Sequence, residues 1–204
     1  TGPRVPGMKE LGVPTFKKGE EFAVPPDAKK RIPGVPTFSA LAQLAEQVTS
    51  PENPAFARNA VNRLWFAVMG RGLVHPLDLD HAGNPPSHPE LLDLLAKEFV
   101  AQKYDIKWLL RELALTRTYQ RSGVLPVDSG RVPPESFRVA LEKRLSAEQL
   151  LASMIVAIGA DVKADALRPK FLKAFANPMR EPEDGHAPAL KAALLLLNDE
   201  TILS

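Results

Sequence analysis

The chain has 204 residues, 45% apolar and 25% charged, with a net charge of +2 and no cysteine. That suits a globular protein with one sizeable core or two small ones. It excludes disulfides, thiolate zinc sites, covalent haem attachment and a cysteine nucleophile, no apolar run reaches the roughly 20 residues that cross a bilayer, and so small a charge gives no argument for nucleic acid.

The opening "TGPRVPG" carries no initiator Met and no signal-peptide pattern, so it reads as a fragment or processed product. Seven of the twenty prolines fall within residues 1–37. Each lacks a backbone donor and biases its predecessor away from helix, which predicts an extended arm over 1–38, with room for a short strand. From Ser39 the period becomes helical. Leu41, Leu44, Ala45 and Val48 fall at i, i+3, i+4 and i+7, one face of a first helix.

"SPENP" breaks that helix, and Asn53 before Pro54 reads as an N-cap with proline at the first helical position. The second helix, "PAFARNAVNRLWFAVM", should turn Ala57, Val61, Leu64 and Val68 inward, with Phe56, Trp65 and Phe66 widening the stripe. Gly70 is the expected left-handed residue past its end. A Gly- and Pro-rich loop, 70–86, leads to Ser87, which with Glu90 forms the S-x-x-E pattern of a capping box, His88 taking the first helical position. Leu91, Leu92, Leu95 and Phe99 should supply the third helix's buried face. After the turn "QKYD", Asp105 caps a fourth helix carrying Ile106, Leu109, Leu110 and Leu113.

A second irregular stretch follows Ser122. Ser146 and Gln149 repeat the capping-box pattern before "LLASMIVAIG", ended by Gly159. Two more helical segments are "ADALRPKFLKAF", with Pro169 inside it, and "APALKAALLLLN". The expected architecture is all-α: an irregular bundle of about seven helices with a Pro-rich extended N-terminal arm. It divides into the arm (1–38), a four-helix part (39–122) and a C-terminal helical part (123–204) packed on it as one unit. No repeat at a solenoid period is present.

Several constellations could carry chemistry. His75, Asp78, Asp80, His81, His88 and Glu90 place six potential ligands within sixteen residues, and imidazole with carboxylate suits Zn, Mn or Fe. No H-x-x-x-H or H-E-x-x-H spacing accompanies them, so no metal is assigned. The favoured reading has Asp78 and Asp80 bonding turn amides, with Ser87 and Glu90 engaged in capping. On the second helix, Arg58 and Asn62 are four apart, as are Asn59 and Arg63, and Arg71 follows in "GRG". Arg58, Asn62, Arg63 and Arg71 form a candidate anion pocket for sulfate, phosphate or a sugar acid. The favoured alternative has Arg58 and Arg63 forking onto Asp78, Asp80 or Glu90, pinning the loop to the helix.

Acid pairs drawn from Asp78 or Asp80 with Glu90 or Glu98 could serve glycoside hydrolysis, but nothing in the sequence fixes their separation. The two helices around "QKYD" mimic a helix-turn-helix with Lys107, Arg111, Arg117 and Arg121 outward; the leucines between them leave little polar face for base reading. Trp65, Trp108, Tyr104 and Tyr119 fit a core better than a carbohydrate platform. No residue is singled out as catalytic.

In "NPAFARNAVNRLWFAVMGRGLV" and "GNPPSHPELLDLLAKEFVAQKYDIKWLLRELALTRTYQRS" the chain resembles the planctomycete-type domain of unknown function family 1553. "KRLSAEQLLASMIVAIG" continues the match and "ALKAALLLLND" does so more weakly, so the resemblance spans roughly residues 39–200. It implies the C-terminal domain of large exported multidomain proteins, downstream of a second uncharacterised domain and often of a planctomycete-type cytochrome c domain. A neighbouring domain, in some cases haem-bearing, is the implied partner, and no reaction is implied. His88 belongs to the family pattern; His75, His81 and "DLDHAG" depart from it. A helical interaction or scaffolding domain, without a cofactor of its own, is the leading expectation. A hydrolase or binding domain for anionic polysaccharide is the alternative.

Overall fold

A computed structural model describes residues 2–124, 130–143, 145–158, 164–175 and 190–199. Among them are seven α-helices and one small hairpin, so the chain is mostly helical, as the periodicity predicts. The helices are α1 (Ala40–Val48), α2 (Pro54–Met69), α3 (Pro89–Ala101), α4 (Ile106–Leu115), α5 (Ala147–Ile158), α6 (Ala164–Phe175) and α7 (Leu190–Asn198). Gly159 and the expected start of the last helix at 187–189 lie outside the described residues.

The chain forms two compact units, Thr1–Val61 with Asp93–Asp105, and Asn62–Leu92 with Ile106–Ser204. In the first, the arm is not wholly irregular. Strands β1 (Phe22–Val24) and β2 (Val35–Pro36) pair antiparallel, Val24 opposite Val35. Gly34 makes the approach possible, since a Cβ there would lie 2.8 Å from both Phe22 Cδ1 and Pro26 Cδ. The arm meets α1 through Gln47 Nε2, which donates to Lys9 O at 3.1 Å.

Ser39 caps α1, accepting from Ala42 N–H at 3.2 Å, and Pro54 opens α2 as expected. Asn53, however, turns its side-chain amide back to Val48 O at 2.8 Å. The buried row of α2 is Ala57, Val61, Trp65 and Met69, four apart throughout; Leu64 and Val68 are only half-buried. The row follows i, i+4 because a helix drifts little over that spacing. Gly70 ends α2 in the left-handed region (φ 84°), its N–H on Phe66 O at 2.7 Å.

The "QKYD" turn uses two successive left-handed residues, Lys103 (φ 53°) and Tyr104 (φ 61°). The Tyr104 ring holds this geometry, meeting Phe56 and Phe99 edge-on at 5.5 and 5.4 Å, while its hydroxyl donates to Thr49 O at 2.9 Å.

In the second unit the capping box at α5 is complete: Ser146 N–H donates to Gln149 Oε1 at 2.9 Å and Gln149 N–H to Ser146 Oγ at 3.1 Å. Leu151, Leu167 and Phe171 form a buried cluster from α5 and α6, with Leu195 and Leu196 of α7 against it. Phe171 stacks on Phe175 at 4.2 Å. Pro169 lies within α6 and does not end it. Sitting in the second turn, it removes a single backbone hydrogen bond.

Candidate functional site

The loop between α2 and α3 carries most of the candidate residues, and its base is built by Asn62. This side chain is 3% exposed. Its Nδ2 donates to Val74 O and its Oδ1 accepts from Val74 N–H, both at 2.9 Å, so one amide satisfies both backbone polar groups of a buried residue. Gly72 lets the chain come this close. A Cβ there would stand 2.3 Å from Val74 O and 3.0 Å from Asn62 Oδ1. Asn62 is therefore committed to backbone at both ends of its amide, and at 3% exposed it is turned inward rather than toward a bound anion.

The far end of the loop is clipped to the same base. Leu73 O accepts from Ser87 N–H at 2.7 Å and from Ser87 Oγ–H at 3.2 Å. This corrects the expected Ser87–Glu90 capping box: the Ser87 N–H, which Glu90 was to receive, is held by a carbonyl fourteen residues upstream. The helix begins at Pro89, one residue later than expected, with His88 in the cap position and its carbonyl accepting from Leu92 N–H at 3.1 Å. His88 Nδ1 lies 3.1 Å from Ser87 Oγ. The imidazole rests against Phe137, centroids 5.8 Å apart.

Arg63 pairs with Asp78, one of the three acids expected for it. Arg58 instead pairs, within the first unit, with Asp93, which sequence reading did not consider. Its only signal was an acid interrupting "LLDLL". Nor do Asp78 and Asp80 bond the turn amides. His81 Nδ1 accepts from Gly83 N–H at 3.1 Å, and Asn84 Nδ2 donates to Leu79 O at 2.8 Å and His75 O at 3.4 Å. Asp80 and Glu90 are exposed. No group of three His, Asp or Glu with metal-holding geometry occurs among the described residues. Of the three arginines in the candidate pocket, Arg71 is the one with no carboxylate partner among the described residues, and its buried Nε has no hydrogen-bond partner there.

Sequence reading also missed the segment around Phe137, which lies beside the second half of α2. Phe137 is left-handed (φ 49°) and meets Trp65 edge-on at 5.2 Å. Lys143 Nζ donates to Val68 O at 2.8 Å, placing a cation at the C-terminal end of α2, and sits 4.7 Å over the Tyr119 ring. Phe137, Val68, Tyr119 and Lys143 line a small cleft with Met69, Thr118 and Leu141. With Trp65 buried and the face of Tyr119 covered by Lys143, neither offers a flat surface to a sugar. Arg121, one of the four cations weighed and set aside as a phosphate contact, donates from Nη1 to Arg138 O at 2.8 Å.

Neither a curated protein nor a solved structure matches the chain. A family model described as PSD1, protein of unknown function (DUF1553), matches residues 41–165, more than half of the chain. The weaker similarity expected at "ALKAALLLLND" falls outside that span. The loop clipped by Leu73 and Ser87, the Asn62 bracket and the α5 capping box all lie within it, and the chain belongs to the DUF1553 family.

Proposed function

We propose that this chain is a helical interaction module that holds a neighbouring domain of the same polypeptide or complex, in an exported multidomain protein. The supporting observation is how its groups are used. Three of the four polar residues that looked most like a site are engaged internally: Arg58 with Asp93, Arg63 with Asp78, Asn62 with the backbone of Val74. The apolar stripe of α1, by contrast, is only partly covered: Leu41 and Ala45 are exposed, Leu44 and Val48 half-buried. None of its residues is buried, and Leu41 is 77% exposed. An amphipathic helix gains from its stripe only when something covers it. A neighbouring domain, haem-bearing in the arrangement the family resemblance implies, is the occupant this reading requires.

A photo-crosslinking residue placed at Ala45 in the native polypeptide tests the reading. One discrete adduct, identified by mass spectrometry and weakened by Leu41→Asp, is expected. Diffuse adducts, or an adduct indifferent to Leu41→Asp, would overturn it. The rival role on anionic polysaccharide predicts thermal stabilisation by sulfated glycans that Arg63→Ala or Arg71→Ala removes.

A further inference from the structure

The β1–β2 hairpin ends in a turn to which the role proposed for α1 assigns nothing. Asp27 and Ile32 exchange both backbone hydrogen bonds at 3.1 Å, closing a short loop over residues 28–31. Asp27 Oδ1 accepts from the N–H groups of Lys29 and Lys30 at 2.9 and 3.1 Å, so the turn's one carboxylate is engaged by its own backbone. Its Oδ2 lies 3.8 Å from Lys30 Nζ, and the Lys30 side chain is 74% exposed, a contact too open to neutralise the amine. Arg31 closes the loop in the left-handed region (φ 53°), which L side chains adopt at a cost. Pro26 and Pro33 bracket the turn. Three successive cations therefore project from a fixed, exposed backbone. Beside them, Val24, Val35 and Ile32 are each more than half exposed and Phe22 nearly so.

We infer that this hairpin docks on an anionic lipid surface, Lys29, Lys30 and Arg31 taking headgroup phosphates while Ile32, Val24 and Val35 enter the boundary of the acyl region. The combination decides the occupant. A soluble polyanion would use the cations and leave the valines and isoleucine in water; an apolar protein groove would strand three charges. A bilayer interface accommodates both, and two weak signals together make a usable anchor. Because the turn is already fixed by Asp27 and the two prolines, docking orders little additional backbone.

Flotation of the intact chain with phosphatidylcholine vesicles, with and without about one-third phosphatidylglycerol, tests this. Binding should require the anionic lipid and weaken with salt. Replacing all three cations (Lys29→Gln, Lys30→Gln, Arg31→Gln) should lower the partition coefficient on the order of 100-fold, about fivefold for each. Val24→Ser with Ile32→Ser should lower it roughly tenfold, from two lost apolar side chains, while leaving any binding of soluble heparin unchanged. Both variants should melt like the parent, since the replaced side chains are exposed. Equal affinity for neutral and anionic vesicles, or no association at low salt, would overturn the inference. So would vesicle binding indifferent to Val24→Ser and Ile32→Ser and matched by heparin, which would assign the tip to a soluble polyanion.

Discussion

Replacing Asn62 by Ala removes the one side chain that satisfies both backbone polar groups of Val74. Val74 is 1% exposed, so water cannot readily take over. Each buried group left unpaired costs about 1–3 kcal/mol. Two of them, softened by relaxation of the loop, make a loss of about 3 kcal/mol the expected outcome. With a urea slope near 2 kcal/mol/M, the midpoint should fall by roughly 1.5 M at unchanged slope. Amide exchange at Val74 should accelerate in the same variant, which separates loss of this bracket from a diffuse effect. Asn62→Asp adds a pH signature. Ionised, the new carboxyl accepts from Val74 N–H but opposes Val74 O; protonated, it can serve both, so its pKa is raised in the folded state. Stability from that proton is present at acid pH and is lost as pH rises through the folded value. The variant should therefore be closest to the parent in acid and weakest near neutrality. A loss below about 1 kcal/mol for Asn62→Ala, or a deficit for Asn62→Asp that does not change with pH, would refute the reasoning.

Gly72→Ala should cost at least about 2 kcal/mol by thermal unfolding, because its Cβ meets Val74 O, a backbone atom, at 2.3 Å. Lys103→Gly should stabilise the chain by about 1 kcal/mol, read as a higher urea midpoint, since it relieves a left-handed side chain in an exposed turn. Ser146→Ala should cost about 1 kcal/mol by removing one half of the α5 capping box. A double-mutant cycle on Arg63 and Asp78 should return less than about 1 kcal/mol, falling further with salt, because the Asp78 side chain is 61% exposed.

What the letters conveyed, and what they concealed, follows sequence distance. The α5 capping box is local, a Ser and a Gln three apart, and both its hydrogen bonds form. Ser87 and Glu90 offer the same pattern, yet Leu73, fourteen residues away, captures the serine. Arg58 was weighed against the nearest loop acids, but chain folding delivers Asp93 from another helix. Strands of three and two residues are too short to show alternation, so the prolines left room for a short strand without revealing the β1–β2 pairing. Trp65 belongs to the buried row rather than its margin because the helix follows a four-residue spacing that the letters leave open. Arg63 with Asp78 was legible since both sit near the loop they join.

The double acceptance at Leu73 O also bears on how this region can vary. With Leu73 and Ser87 fastened together, the residues between them form a closed excursion whose two ends are already juxtaposed. Lengthening such an excursion is cheap: doubling it costs only about 0.6 kcal/mol of closure entropy. Insertions at this place should therefore leave the helices on either side undisturbed. The same property makes the "DHAG" bend a natural place to splice in a reporter peptide.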